Sequence, residues 1–122
     1  MPLEFVLDEH YRGPLWQAVL RHNLNGAYPL EIVRVGDLPD LLLGTRDPEL
    51  LVWAEQQARI LVTEDRRTMP RHLHNHLLVG HHSPGVFMTR IDSRCRELVE
   101  YLILATYASE PGEFADVITY IP

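Results

Sequence analysis

Five short apolar runs alternate with four segments of helical periodicity along the chain. The runs are rich in branched side chains, which predicts β-strands over residues 3–7, 31–35, 59–63, 85–89 and 116–121. Apolar positions recur at helical spacing between them, which predicts helices over residues 14–22, 48–57, 69–79 and 94–107. Pro14 and Pro48 suit the first turns of their helices, and Ser93 is a natural N-cap for the last helix.

The strands and helices alternate strictly from end to end, with short connections. This order predicts parallel strands joined by right-handed crossovers, with helices on both faces of the sheet. The expected fold class is therefore α/β, a three-layer α/β/α sandwich around a central, mainly parallel five-stranded sheet. The apolar segment 36–47 is interpreted as a short helical turn that packs. Apolar helices on so small a domain also favour a homodimer.

Length and composition indicate one domain and exclude several classes of function. A chain of 122 residues has room for one core, so residues 1–122 are interpreted as a single domain. All 11 basic residues are arginine, which excludes every reaction that needs a P-loop, Schiff-base or kinase-type lysine. The net charge of -6 argues against nonspecific binding to duplex nucleic acid, where basic surface supplies most of the affinity.

The cysteine content and the length of the apolar runs bear on the cellular compartment. The lone cysteine, Cys95, cannot form an internal disulfide, and no apolar segment follows a charged start as in a signal peptide. Cys95 is expected to be buried and inert, because no histidine pairs with it. No apolar run approaches the roughly 20 residues that span a bilayer. We therefore expect a cytoplasmic protein without a membrane segment.

Acidic residues stand where a parallel sheet would gather them. Asp8 and Glu9 follow the first predicted strand, Asp65 follows the third, and Asp47 opens the helix that leads into the third. Ligands of open parallel sheets bind beyond the carboxyl ends of the strands, so these groups should converge if the first and third strands are neighbours. Carboxylate clusters suit Mg²⁺ or Mn²⁺, which can activate water and polarise phosphoryl oxygens. The pattern indicates metal-dependent hydrolysis of a phosphodiester.

Each acidic residue also has a structural alternative. Asp47 directly precedes a proline and is well suited to be a helix N-cap. Asp65 could cap the turn into the next helix, in competition with Thr68, and Glu9 could be an exposed partner of an arginine. Asp8 is harder to explain in this way, because an acid at the end of an apolar strand is costly unless it is solvated, paired or bound to a metal.

Three segments together resemble the PIN-like superfamily, named after the PilT N-terminal domain, and within it a short bacterial branch. The segments are FVLDEH at residues 5–10, GTRDPELLVWA at residues 44–54 and ARILVTEDRRTM at residues 58–69. Each segment is weakly specific alone, but the three occur in the order and at the spacing of that family. The similarity covers roughly the first 90 residues and, beyond them, the general order of strands.

The resemblance implies a function and a set of site residues. It implies acidic groups at the carboxyl edge of the sheet and Mg²⁺- or Mn²⁺-dependent cleavage of single-stranded RNA. Many relatives are toxins of toxin-antitoxin pairs, which implies a small antitoxin protein as partner. The acidic positions of the family would fall on Asp8, Asp47 and Asp65 as catalytic metal ligands, with Glu9 as a further ligand. Thr63 would be the strand-end hydroxyl that orients the site.

The chain departs from the family pattern at Arg67. Relatives commonly carry a second aspartate at that place, two residues after Asp65. Arg67 could instead contact a phosphate of the substrate, as could Arg12 and Arg66, because guanidinium matches phosphate geometry. Alternatively, the site has lost its metal and activity, and the chain is a degenerate PIN-like module that binds RNA or protein. Both interpretations stay open on the sequence alone.

Five histidines form a second group of candidate ligands. His72 and His76 share one face of the predicted third helix, whereas His74 points away, and His81 and His82 follow the helix. Two histidines on one face could bind Zn²⁺ or Ni²⁺, but no glutamate completes the zinc-protease pattern HExxH. We interpret the group as a solvated helix face, with a transition-metal site as the alternative.

Overall fold

The computed structural model describes residues 3–9 and 13–122 and places the elements in the predicted order. They are β1 (Glu4–Leu7), α1 (Pro14–Leu24), β2 (Glu31–Arg34), α2 (Asp47–Gln57), β3 (Ile60–Thr63), α3 (Met69–Leu78), β4 (Val86–Met88), α4 (Cys95–Ala108) and β5 (Ile118–Tyr120). The sheet has the strand order β2-β1-β3-β4-β5, and all its pairings are parallel. The predicted five-stranded α/β fold is therefore confirmed.

Two cores lie on opposite faces of the sheet, because successive side chains of a strand point to opposite sides. Phe5 and Leu7 of β1 pack in one core with α1 and α4, whereas Val6 packs in the other with α2 and α3. Helices α1 and α4 contact each other, as do α2 and α3. The result is the predicted α/β/α sandwich, in which central strands are buried on both faces and carry continuous apolar runs.

Two helix starts differ from the sequence-based expectation. Helix α2 begins at Asp47 itself, with Arg46 as its N-cap, so the predicted N-cap role of Asp47 is wrong. Ser93 does not cap α4 either, since its Oγ accepts a hydrogen bond from the N–H of Arg90 and donates one to the carbonyl of Pro122, both at 2.8 Å. Each side chain is engaged elsewhere, and neither helix has a side-chain cap.

The connection between β2 and α2 consists of turns, so the helical turn expected over residues 36–47 is wrong. Gly36 and Gly44 have φ values of 100° and 84°, in the left-handed region that a right-handed helix cannot include. The segment nevertheless packs as expected, because Leu41 is fully buried. The indole Nε1 of Trp53 donates to Asp40 Oδ2 at 3.0 Å and fastens the connection to α2.

Three further observations concern single residues and helix length. Trp53 belongs to the core on the α2 and α3 side, and Trp16 packs against the core on the opposite face of the sheet. Cys95 is partly exposed at the start of α4, so the expectation that it is buried is wrong. Within residues 3–9 and 13–122, no helix combines the length and the apolar character needed to cross a bilayer.

Candidate functional site

The carboxyl edge of the sheet places Asp8 beside Thr63. Strands β1 and β3 are parallel neighbours with Leu7 opposite Val62, so the next residues of both strands emerge together. The Thr63 hydroxyl donates a hydrogen bond to Asp8 Oδ2 at 2.8 Å, and both residues are buried. After β1 the chain first forms β2 on one side of β1 within the sheet, and it later forms β3 on the other side of β1. This switch point is where open α/β sheets bind their ligands.

Asp65 lies at the same edge and is held by the turn that precedes α3. Its Oδ1 accepts hydrogen bonds from the N–H groups of Arg67 at 3.1 Å and Thr68 at 3.0 Å. The Thr68 hydroxyl donates to its Oδ2, and the N–H of Asp65 itself donates to Thr63 Oγ1 at 3.2 Å. Asp65 thus stabilises this turn, as its structural alternative predicted. Since a carboxylate oxygen has two lone pairs, the turn leaves acceptor capacity for a ligand.

Asp47, in the first turn of α2, completes an acidic trio with Asp8 and Asp65. Burial raises the pKa of Asp47, and the negative charges of Asp8 and Asp65 raise it further, as does a hydrogen bond with Asp65. His72 opposes this rise, because its Nε2 lies 3.9 Å from Oδ2 of Asp47. The carboxyl groups of Asp8 and Asp65, from two other chain segments, therefore lie near enough to Asp47 to raise its pKa.

The pKa of Asp65 is shifted in the opposite direction. Burial alone would raise it, but hydrogen bonds from Thr68, Arg67 and Asp47 outweigh burial and lower the pKa. Asp47 therefore loses its proton at a higher pH than Asp65 does. As long as Asp47 keeps the proton, the repulsion between two ionised carboxylates is absent.

The donor set of the trio fits a hard divalent cation. Carboxylate oxygens are the ligands that Mg²⁺ and Mn²⁺ prefer, and the repulsion that raises the pKa of Asp47 is what a cation would relieve. The trio is nevertheless open, in the sense that its carboxylate oxygens do not all lie within 4.8 Å of one another. Among the described residues, one group has three potential ligand atoms all within 4.8 Å of one another, and it consists of Glu55, His76 and His81. Water between carboxylate and ion suits an open trio, since Mg²⁺ usually keeps several waters.

Glu9, predicted as a further metal ligand, has a hydrogen-bond partner in the segment that precedes α2. Its Oε1 accepts a hydrogen bond from the N–H of Gly44 at 3.2 Å, so its partner is the β2–α2 connection. No arginine within residues 13–122 forms an ion pair with Glu9. Arg12, the first of the predicted phosphate contacts, lies outside the described residues.

Two further predicted substrate contacts, Arg66 and Arg67, are exposed beside the trio. The Arg66 guanidinium donates to the carbonyl of Thr89 at 3.3 Å, which holds it across the end of β4. Arg66, Asp65 and Glu64 line an open pocket of about 510 Å³ at this edge. A phosphodiester in this pocket would therefore lie beside both the guanidinium of Arg66 and the carboxylate of Asp65.

His76 departs from the expected solvated face. His76 is buried, and its Nε2 lies 3.1 Å from Oε1 of Glu55 in α2 and donates to the carbonyl of His82 at 2.9 Å. His81 Nδ1 lies 2.9 Å from the same Glu55 oxygen. His74, His81 and His82 are exposed, as the expectation of a solvated group requires. Glu55 was not predicted as a partner, because it belongs to another helix and no local motif marks it.

Replacing Asp47 by asparagine should raise the stability of the protein at neutral pH. The folded-state pKa of Asp47 is raised, so its contribution to stability is fully present below the ordinary value of 3.8 and is lost as the pH rises through the folded-state pKa. Asparagine removes the repelled charge, and we expect the free energy of unfolding to increase by roughly 0.5–2 kcal/mol. Urea unfolding measures this difference, which should shrink as the pH approaches 3.8.

Glu49→Gln is the matched control, because Glu49 is an exposed acid in the same first turn of α2. It should bring no gain, since its charge interacts favourably with the helix N-terminus. Equal stabilisation by both substitutions would assign the effect to net charge rather than to the trio.

Comparisons with known proteins were made against protein-family models, curated proteins and solved structures. None of the three finds a match for the chain. The PIN-like assignment therefore stays a hypothesis based on the three sequence segments.

Proposed function

We propose that the chain is a Mg²⁺- or Mn²⁺-dependent endoribonuclease of the PIN-like type that cleaves single-stranded RNA. The observation that carries the proposal is the acidic trio itself, Asp8, Asp47 and Asp65, which folding gathers at the switch point of the sheet. Burial and the charges of Asp8 and Asp65 raise the pKa of Asp47 there. Folding gathers these charges at a free-energy cost, and perturbed carboxylates beside an open pocket are typical of functional sites.

Each residue of the site has a role in this proposal. Asp8, Asp47 and Asp65 would hold the ion, and Thr63 fixes the Asp8 carboxylate through its buried hydroxyl. The ion supplies positive charge beside the phosphoryl oxygens and lowers the pKa of nearby water. Arg66 orients a guanidinium at the pocket, where it would bind a phosphate of the RNA backbone.

A degenerate PIN-like module that binds RNA or protein without cleaving it is the second candidate function. Arg67 favours this candidate, because it is exposed where relatives commonly carry another aspartate. The openness of the trio favours it as well, since three ligand atoms of Asp8, Asp47 and Asp65 do not come within 4.8 Å of one another among the described residues. A site that has lost one acid binds the ion less tightly, and a phosphate contact would survive the loss.

The proposal extends to the cellular context. We propose a cytoplasmic toxin that works beside a small antitoxin protein and assembles as a homodimer. The net charge of -6 supports a local contact with a single strand over broad binding to a duplex. A small gene directly beside the coding gene would support the antitoxin, and the mass of the purified protein in solution tests the dimer.

RNA cleavage by the purified chain tests the nuclease proposal. A labelled single-stranded RNA is incubated with Mn²⁺, with Mg²⁺ or with a chelator, next to the same RNA annealed to its complement. We expect cleavage of the single strand with either metal and none with the chelator. RNA binding without cleavage under all conditions would instead support the RNA-binding module, and the absence of both would contradict the nuclease and the RNA-binding module alike.

A further inference from the structure

Glu55, His76 and His81 form a compact group of nitrogen and oxygen donors away from the acidic trio. Glu55 lies near the end of α2, His76 near the end of α3, and His81 in the connection to β4. Asp47 and Glu55 stand eight residues apart on α2, which corresponds to about 12 Å along the helix axis. The group is therefore a site of its own and not an extension of the acidic trio.

We propose that this group binds Zn²⁺. One oxygen, Oε1 of Glu55, lies 3.1 Å from Nε2 of His76 and 2.9 Å from Nδ1 of His81. The three potential ligand atoms all lie within 4.8 Å of one another. In a tetrahedral site with metal–ligand distances near 2.0–2.1 Å, neighbouring ligand atoms are about 3.3 Å apart. The two nitrogen–oxygen distances are thus within a few tenths of an ångström of this spacing.

The chemistry of the donors selects the class of metal. Two imidazoles and one carboxylate form a familiar ligand set for Zn²⁺, whereas Mg²⁺ and Ca²⁺ prefer oxygen ligands alone. The rings of His76 and His81 are stacked, with centroids 4.6 Å apart and planes at 13°. Both rings thus present a nitrogen to the same carboxylate oxygen, and Zn²⁺ would replace the proton that each of these nitrogens now carries.

The surroundings of the group restrict how its ligands can turn. The side chain of His76 is 4% exposed, so the ring is fixed by packing. The N–H of His82 donates to the second oxygen of Glu55 at 3.0 Å, which orients the carboxylate. The carbonyl of His82 lies 2.9 Å from Nε2 of His76 and is the nearest oxygen for a fourth position. Fixed ligands of this kind raise metal affinity, because little freedom is lost on binding.

Binding of Zn²⁺ would fasten three parts of the chain to one another. The ion would join α2, α3 and the connection before β4, and α2 and α3 already pack on one face of the sheet. An ion that binds only the folded state stabilises it by mass action. The proposed site is thus structural, and it is independent of the nuclease proposal.

Metal binding by the purified full chain tests the proposal. We expect one equivalent of Zn²⁺ with competition against a coloured chelator, an increase in Tm on addition of Zn²⁺, and the visible absorption of tetrahedral Co²⁺ when Co²⁺ replaces it. His81→Ala and Glu55→Gln should each lower the Zn²⁺ affinity by at least about 10–100-fold, which is the cost of losing a residue that only hydrogen-bonds to a metal ligand. Both residues are partly exposed, and circular dichroism checks that the variants fold.

His74→Ala is the matched control, because His74 is exposed on the same helix α3 and should leave the affinity unchanged. Equal Zn²⁺ affinity in the wild type, His81→Ala and Glu55→Gln would overturn the proposal, as would a wild type that binds no Zn²⁺. Loss of Zn²⁺ binding in Asp8→Asn, with His81→Ala unaffected, would assign the ion to the acidic trio instead.

Discussion

Asp8→Asn should reduce Mn²⁺-dependent RNA cleavage at least about 100-fold. Mutation of a residue that only hydrogen-bonds to a metal ligand already lowers metal affinity or activity about 10–100-fold, and Asp8 would be a ligand itself. The substitution removes a charge and preserves shape. Asparagine still offers an oxygen to the Thr63 hydroxyl, which now donates to Asp8 at 2.8 Å, so the buried pair keeps its hydrogen bond. The lost activity would then come from weaker metal binding and not from unfolding. Initial rates over a Mn²⁺ titration measure both the affinity and the maximal rate.

Glu113→Gln is the matched control, because it makes the same change of charge at an exposed position far from the carboxyl edge. Its neighbour Gly112 lines a pocket with Leu3 and Glu4, at the amino end of the sheet. It should cleave RNA at the wild-type rate. Equal rates and equal Mn²⁺ affinities for Asp8→Asn and the wild type would remove Asp8 from the mechanism.

Phe87→Ala should lower the free energy of unfolding by about 3–5 kcal/mol, the range measured for large aromatic residues in cores. Phe87 of β4 is fully buried, and its ring lies 5.8 Å from Phe5, 5.7 Å from Tyr101 and 5.0 Å from Phe114. The ring joins two strands, α4 and the segment before β5, so its removal leaves a cavity that several elements border. Since small domains are stable by about 5–15 kcal/mol, urea unfolding should show a large shift.

Ile91→Ala provides the comparison, because Ile91 is 94% exposed. Its substitution should change the free energy of unfolding by no more than about 0.5 kcal/mol. A cost for Phe87→Ala as small as that for Ile91→Ala would contradict the core described above.

The fold could be predicted because the sequence alternates apolar strands with amphipathic helices. Strand β3 is buried at all four positions, Ile60–Thr63, and only a central parallel strand covered on both faces combines such a run with neighbouring helices. The boundaries were less accurate where a side chain has a tertiary partner. Ser93 binds the last residue of the chain instead of capping α4, and no local pattern indicates that contact.

The acidic trio was predictable in part for the same reason. Asp8 directly follows β1 and Asp65 comes two residues after β3, so a parallel sheet brings both to one edge once β1 and β3 are neighbours. The neighbour relation itself could not be read from the sequence, because it depends on how the crossovers pack. Glu55 was missed because its partners His76 and His81 belong to a different helix and a later connection.

A crystal structure of the protein soaked in Mn²⁺, measured at the manganese absorption edge, tests the central claim most directly. The account predicts an anomalous peak bordered by the carboxylates of Asp8, Asp47 and Asp65, and no such peak in crystals of Asp8→Asn. Fully occupied Mn²⁺ elsewhere, with no peak at the carboxyl edge between β1 and β3, would contradict the claim that these three residues hold a metal.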